Sequence, residues 1–451
     1  MAGARDEQRF EAGGPDRPTG IGWSLWAVAL ALPWLLPTHA DPWTTFYSEV
    51  LMGAVLLPMA CWALWAARGT WRVDVLAGAF AVAAVVPLLQ ALGGMYTFPA
   101  EAPLVSQYLI AFALTLMIAR HAEEAAPYRL VDALFAGLAI AAIASTGLAL
   151  YQRLGLDAFG VMVVRVPSGE RPVANVGQSN NLSTLLVWGL VAIWWAHSRR
   201  AIGRAGATIA AAFLLLGVAL TGSRTGFLAV GLLCAAALFG RNVLRTKGQA
   251  PVWFALAAWF IVLLAALQPL ADLMLLEGTR SLSNEEGPRA RLMIYRFALE
   301  ALSQQPWQGY GWNQIVTAHV GAAAQFPMHG IVMHAHNIVL DLFLWNGIPL
   351  GTLMVIGLCL WLWHALRNVT NAEQALLVLG LVVLALHAVL ELPHVFAYFL
   401  LPAALMMGAL NARRPLPTVV NLPRLAIGAA VLLQAGILVL MFDEYGQIEA
   451  S

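Results

Sequence analysis

Charge is what this sequence has least of. Asp, Glu, Lys and Arg make up 11% of its 451 residues, against 60% hydrophobic residues and a mean hydropathy of +0.74. Soluble domains carry about 25% charged and roughly 45–50% apolar residues. A water-soluble globule of this composition could not cover its own surface, so the chain reads as a polytopic membrane protein whose apolar surface faces lipid. Disorder and a nucleic-acid-binding module are excluded on the same ground, and no nucleic-acid partner is expected. Cysteine is also scarce. Cys61, Cys234 and Cys359 each lie in an apolar run, with neither CxxC spacing nor a Cys/His cluster, which removes disulfide scaffolds and thiolate metal sites. The only lysine, Lys247, follows Thr246, so there is no Walker A lysine. DxD, DDxxD, HExxH and GxSxG are absent too. ATP-driven transport and ordinary hydrolase chemistry lose their supports, and a carboxylate-held Mg²⁺ or a zinc has no obvious ligands. The expectation is no metal and no cofactor.

What is present is a series of long apolar runs. A hydrocarbon core of about 30 Å needs roughly 20 helical residues. Thirteen runs meet that test, beginning near Trp23, Phe46, Val73, Leu104, Leu130, Leu182, Ala207, Gly226, Val252, Asn346, Ala375, Phe396 and Leu425. The expected fold is therefore all-α, with about 12–13 transmembrane helices, the last being the one that could instead lie along the interface. No cleavage site follows the first run, so residues 1–21 read as a cytoplasmic tail before an uncleaved span. With that orientation, seventeen of the 25 Lys and Arg residues fall inside, every inside loop has at least one Arg, and the short outside turns have none.

Residues 22–411 then form the transmembrane unit, with outside loops at 152–181 and 272–335 where the chemistry is expected. Residues 412–451 add the last apolar segment and a short tail. Loops of this length are usually functional or disordered, and these two are rich in Arg, His, Trp, Asn and Gly. Within the second, Pro288 to Ser303 reads as a helix on the membrane surface, with Leu292, Tyr295, Leu299 and Leu302 along one stripe. Pro306 ends it and Gln308 to Gly311 turns the chain.

The outside cations suggest an anionic ligand. Arg224 stands in Gly222-Ser-Arg-Thr-Gly226 where one span gives way to the next; it is either a snorkelling interfacial anchor or a ligand-binding group, because a charge beside hydrocarbon is costly unless paired. Arg289, Arg291 and Arg296 share the surface helix, with few nearby acids to neutralise them, and Arg165 and Arg171 add to the excess. Guanidinium donors pair bidentately with phosphate oxygens and stay charged. A diphosphate attached to a lipid fits such a cluster. His319, His329, His334 and His336 crowd the same loop. A neutral imidazole at the membrane edge, near Asn337 and Asp341, can act as a general base toward a sugar hydroxyl or be no more than a satisfied core residue.

These residues resemble a known family. His336-Asn337, nine residues and then Gly347 is similar to the signature of the O-antigen ligases, bacterial inner-membrane enzymes that move O-antigen from undecaprenyl diphosphate onto lipid A-core. Their superfamily includes O-antigen polymerases and protein O-oligosaccharyltransferases. Gly222 to Gly226, Arg291 four before Tyr295, Pro306-Trp-Gln-Gly-Tyr-Gly311 and Asn175-Val-Gly-Gln-Ser-Asn180 agree. Glu391-Leu-Pro393 followed by Tyr398-Phe-Leu fits the oligosaccharyltransferase branch, as does Gln178-Ser-Asn-Asn181. Leu350 and Tyr295 depart from the usual ligase pattern.

The resemblance implies a metal-independent, inverting glycosyl transfer at the periplasmic face. It assigns His336 as base, and Arg224 and Arg291 as the groups that hold the diphosphate. Arg289, Arg296, Arg165, Arg171, Gln178, Asn180, His334, Asn337, Asp341 and Tyr295 follow as further binding or orienting candidates, and Glu391 as structural. The short segment after the last span favours lipid A-core as acceptor, with membrane lipids as the remaining partners. A secondary transporter or flippase is the rival of another class; it would place ionisable groups near the midplane and show paired repeats, which the sequence lacks. The absent metal motifs generate a test. Transfer by the purified protein should be unchanged by a chelator, and a loss restored by a divalent cation would overturn that expectation.

Overall fold

The computed structural model describes residues 20–66, 69–167, 169–273, 286–322, 325–326 and 331–450. The tail up to residue 19, Arg68, His329 and part of the second long loop lie outside the described residues.

Backbone in lipid must satisfy its own hydrogen bonds, which leaves helices as the economical solution for runs this apolar. The chain opens with α1 (Gly20–Leu35) and α2 (Phe46–Ala66). Strand β1 (Trp71–Asp74) then leads into the short α3 (Val75–Ala83) and α4 (Val85–Leu92). Next come α5 (Glu101–Ala125), α6 (Arg129–Arg153), α7 (Ser179–Ser198), α8 (Arg204–Thr221), α9 (Arg224–Phe239) and α10 (Ala250–Leu273). The remainder comprises α11 (Glu286–Gln304), α12 (Ile315–Ala322), α13 (Ile338–Arg367), α14 (Ala372–Leu390), α15 (Ala397–Arg413), β2 (Thr418–Leu422) and α16 (Arg424–Ala450).

Among the described residues, nine spans are long and apolar enough to cross a membrane, with α3 and α4 counted as one. The protein is thus an all-α, multi-pass membrane protein. All thirteen expected starts fall on a helix or within two residues of one. The four that fail the length or hydropathy test are α1, α7, α9 and α15. Of these, α7 and α15 are wrapped by other helices, so they carry buried Asn181, Ser183, Thr184 and Asn411 where a lipid-facing helix would not.

The one departure from helix is the pairing of β1 with β2, Trp71 opposite Leu422 and Val73 opposite Val420. It closes the end of the bundle where the basic residues of the expected inside loops gather. Several of the cations there are paired. Fully buried Arg120 contacts Asp74 at 3.1 Å and Glu124 at 3.1 Å, and Arg413 contacts Glu123 at 2.8 Å. The guanidiniums of Arg199 and Arg413 lie 4.6 and 4.4 Å from the Tyr128 ring centroid.

At the other end, α11 covers the helix expected at 288–303 but faces differently from the expected stripe. Phe297, Ala298, Ala301 and Leu302 are buried, whereas Leu292 and Leu299 are exposed. Helical periodicity finds apolar stripes but does not say which one meets protein and which meets lipid.

The bend that shapes this end is in α13, which breaks at Gly347 (φ 74, ψ 169). A break in a membrane helix frees backbone groups that must find partners. Residues 306–311 supply them: Ile348 N donates to Pro306 O at 2.7 Å and Tyr310 N to Leu344 O at 2.7 Å. A Cβ at Gly347 would lie 2.3 Å from the Trp307 carbonyl oxygen, and one at Gly309 2.4 Å from that of Leu344. Neither position admits a side chain. Gly347→Ala should therefore lower the thermal stability of the detergent-solubilised protein by about 1–3 kcal/mol or more, from backbone strain plus the clash. An unchanged melting curve would mean the junction relaxes freely.

Candidate active site

The site is built around a carboxylate. Glu391 sits at the C-cap of α14, its side chain 3% exposed, followed by a single 3-10 turn at Pro393–Val395. Three groups converge on it. The Arg291 guanidinium from α11 pairs with Oε1, Asn180 Nδ2 from the first turn of α7 donates to Oε1 at 2.7 Å, and His336 Nδ1 lies 3.1 Å from Oε2. A carboxylate out of water needs such donors, since its unpaired charge would cost several kcal/mol.

His336 is placed by strain and by a cap. Its φ is +54°, uncommon for a residue with a Cβ. The next residue, Asn337, caps α13, its side chain accepting from Val339 N at 2.9 Å and Leu340 N at 3.3 Å. The His336 ring is about a third exposed. With Nδ1–H donating to Glu391, the lone pair is on Nε2, which has no partner among the described residues. A carboxylate on one imidazole nitrogen fixes the tautomer and stabilises the imidazolium that forms when the other takes a proton.

Arg224 begins α9. Ser223 caps that helix, its hydroxyl accepting from Gly226 N at 3.3 Å, and no acid lies in the first turn. The exposed guanidinium and the helix N-terminus together suit an anionic group. Gly226 brings α9 against α7, where a Cβ would overlap Ser183 Oγ, and this sets Arg224 beside the Asn180 turn. Arg171 joins from the first long loop, its Cδ 3.3 Å from where a Cβ on Gly222 would be. That loop is stapled by Gln152, which bonds Val164, Val173 and Ala174, and by Asn175, which bonds Leu35, Met162 and Val164.

The structure thus brings together His336, Arg291 and Asn180, with Arg171 and Arg224 alongside. Other expected residues are elsewhere. Arg289 and Arg296 are exposed on α11 and lie about 160° and 140° around the helix from Arg291. Arg165 is exposed in the loop. Gln178 occupies the N-cap position of α7 without a side-chain cap bond, and Tyr295 is half-buried one turn after Arg291. Asn337 is the helix cap described above. Asp341 is fully buried, accepting from Ala335 N at 2.6 Å and lying 2.9 Å from His394 Nε2, so it fixes the loop that carries His336. His334 is half-buried edge-on to Trp345, and desolvation pushes its pKa down to about 4. Of the two adjacent histidines, His336 has the geometry of a base.

One expectation needs correcting. Arg291 was read as having few acids nearby, yet Glu391 neutralises it from 100 residues away in sequence. Glu391 itself was read as structural and is the hub of the cluster. Its signal was present: it is the only acid between Glu373 and Asp443, at the end of an apolar span. Among the described residues, no group of three or more His, Cys, Asp or Glu is arranged to hold a metal.

Comparison with known proteins places the chain among enzymes of glycan transfer by likeness. Residues 209–355 match the O-antigen ligase family model. The matched segment runs from α8 into α13 and contains Arg224, Arg291, His336 and Gly347, and the resemblance read from the motifs is borne out. The chain is similar to the general O-oligosaccharyltransferase of Acinetobacter baylyi, 29% identical over 440 residues, covering 93% of this chain and 75% of the relative. It is also similar to the ComP-specific O-oligosaccharyltransferase of the same organism, 25% identical over 247 residues, 54% of this chain and 44% of that relative. Glycosyl transfer from a lipid-linked donor is the activity these likenesses share.

The hub generates a prediction. Glu391→Gln keeps the shape but removes the charge that supports an imidazolium. We expect kcat to fall by about 10²–10⁴ with KM changed little, as when the carboxylate partner of a catalytic imidazole is neutralised. A variant with normal kcat would return Glu391 to a structural role.

Proposed function

We propose that this protein transfers a glycan from undecaprenyl diphosphate to an acceptor hydroxyl at the periplasmic face of the bacterial inner membrane. The observation that carries the reading is the His336–Glu391–Arg291 cluster beside Arg224. The acceptor oxygen attacks the anomeric carbon and its proton passes to His336 Nε2, while Glu391 stabilises the imidazolium. The bond between that carbon and the diphosphate oxygen breaks, and the electron pair leaves with the diphosphate. Arg224, Arg291 and Arg171 neutralise the charge that develops there. Attack opposite the leaving group inverts the anomeric centre. Asn180 holds the free edge of Glu391, and Asp341 and Asn337 keep the His336 loop in register.

For the acceptor, two readings differ. Likeness to O-oligosaccharyltransferases over 93% of the chain, together with the Glu391-Leu-Pro393 and Gln178 to Asn181 segments, supports a protein hydroxyl. The family match over 209–355 supports the second reading, O-antigen ligation to a sugar hydroxyl of lipid A-core. The protein hydroxyl comes first because its support extends over the whole bundle, including the Asn180 and Glu391 regions that the family match leaves out.

One reconstitution tests both. The purified protein receives undecaprenyl-diphosphate glycan with a pilin-like protein, with lipid A-core or with glycan alone, and the labelled product is identified. Label on protein is expected; label on lipid A-core would establish the ligase, and chain extension a polymerase. His336→Ala should abolish transfer at normal protein levels, and full transfer by that variant would remove His336 from catalysis. Arg291→Lys should lose about 10²–10³ in rate if fork geometry matters; an unaffected variant would demote bidentate recognition.

A further inference from the structure

At the end of the bundle away from His336, α10 stands off from its neighbours. Among its described residues only Phe260, Leu263 and Ala271 are buried. It is tied to α8 by Trp259 Nε1 donating to Ala212 O at 3.0 Å, and to α7 by Trp253 against Trp194, ring centroids 4.5 Å apart. Between these ties a cleft runs among α7, α8, α9 and α10, walled by residues such as Leu190, Ala211, Leu233 and Leu256. Its mouth is polar, with His197, Arg204, Thr208 and Gln249. A second hollow adjoins it, sharing Trp253 and lined by Arg241, Asn242 and Lys247.

The charge at this mouth is one-sided. Residues 199–250 contain no Asp or Glu. Arg199 reaches back to Asp132 on α6, but Arg204, Arg241 and Lys247 have no ionic partner among the described residues. This contrasts with the paired Arg120 and Arg413 on the same end of the bundle. An apolar slot at membrane depth, opening into unopposed cations at the membrane surface, matches a lipid with acyl chains and an anionic head.

The geometry points to a binding site for an anionic phospholipid of the leaflet opposite the catalytic site, with an acyl chain between α10 and α7–α9 and its phosphate at Arg204, Arg241 and Lys247. It is separate from the donor site, since α7 and α9 both begin at the site and end at this mouth. The occupant is a lipid rather than free phosphate because the slot below the cations is lined by aliphatic and indole side chains.

Native mass spectrometry on the full-length protein tests this, with phosphatidylglycerol, cardiolipin or phosphatidylcholine of matched chains added. Both anionic lipids should be retained at least ~10-fold more tightly than phosphatidylcholine, since each basic residue near the surface is worth about 1 kcal/mol, or roughly fivefold. The triple variant R204Q/R241Q/K247Q should lose that preference, and the cleft-filling A211F should reduce retention of every lipid. Should A211F fail to fold, brominated acyl chains give the second readout, through quenching of Trp194 and Trp253 that Phe at both positions removes. Equal retention of anionic and neutral lipid, an unchanged preference in the triple variant, or displacement by millimolar inorganic phosphate would each overturn the proposal.

Discussion

A carboxylate at the end of a membrane helix cannot be left to water or to lipid, and everything near the site follows from how Glu391 is satisfied. Its two oxygens take donors from α7, α11 and the loop before α13, regions 211, 100 and 55 residues away. Glu391 is buried while Arg291 and His336 are each about a third exposed, so the partners come to the carboxylate and not the reverse. The same contacts that neutralise the charge therefore hold three separate elements in one arrangement. Two of those partners, the imidazole and one guanidinium, are the groups to which the proposed mechanism gives the chemistry, so on that reading folding and preorganisation of the site are the same event.

That economy has an electrostatic consequence. In the proposed mechanism Arg291 is already paired with Glu391 before the donor arrives, and Arg224 and Arg171 lie alongside that pair. Arg291 becomes available to the leaving group only by sharing its donors with the carboxylate. In the proposed mechanism, once His336 takes the acceptor proton Glu391 acquires a second positive neighbour, and its hold on Arg291 is diluted as charge builds on the leaving group. The carboxylate thus opposes anion binding in the ground state and opposes it less at the moment of transfer. Only interactions that strengthen toward the transition state raise kcat.

Much of this was legible in the chain. The thirteen apolar runs each begin on a helix or within two residues of one, nine of the helical spans are long and apolar enough to cross a membrane among the described residues, and the helix at 288–303 follows from periodicity and its flanking prolines. What periodicity cannot supply is which stripe of a helix meets protein, and so the expected stripe takes in the exposed Leu292 and Leu299 and passes over the buried Phe297. Nor does composition separate Asn337, which caps, from Asp341, which pins a loop, or from Asn180, which reaches the hub. Those roles depend on partners far off in sequence. The fully buried pairing of Arg120 with Asp74 illustrates the same limit, because the positive-inside bias reads that arginine as an orientation signal although it also holds helices together.

The break in α13 joins these strands of argument. Residues 306–311 follow directly on α11, which carries Arg291, and they fill the gap at Gly347 on the helix whose first turn is capped by the residue after His336. Anion-binding group and base are therefore coupled twice, through Glu391 and through this backbone junction. The two couplings act on different atoms. The carboxylate fixes side-chain direction, while the junction fixes the separation and tilt of the helices that bear them. A site on helices tied at both levels can keep reacting groups close to a productive geometry. This also explains why the glycines at 309 and 347 belong to the site although neither touches substrate: any side chain there would separate α11 from α13 and with them the guanidinium from the imidazole.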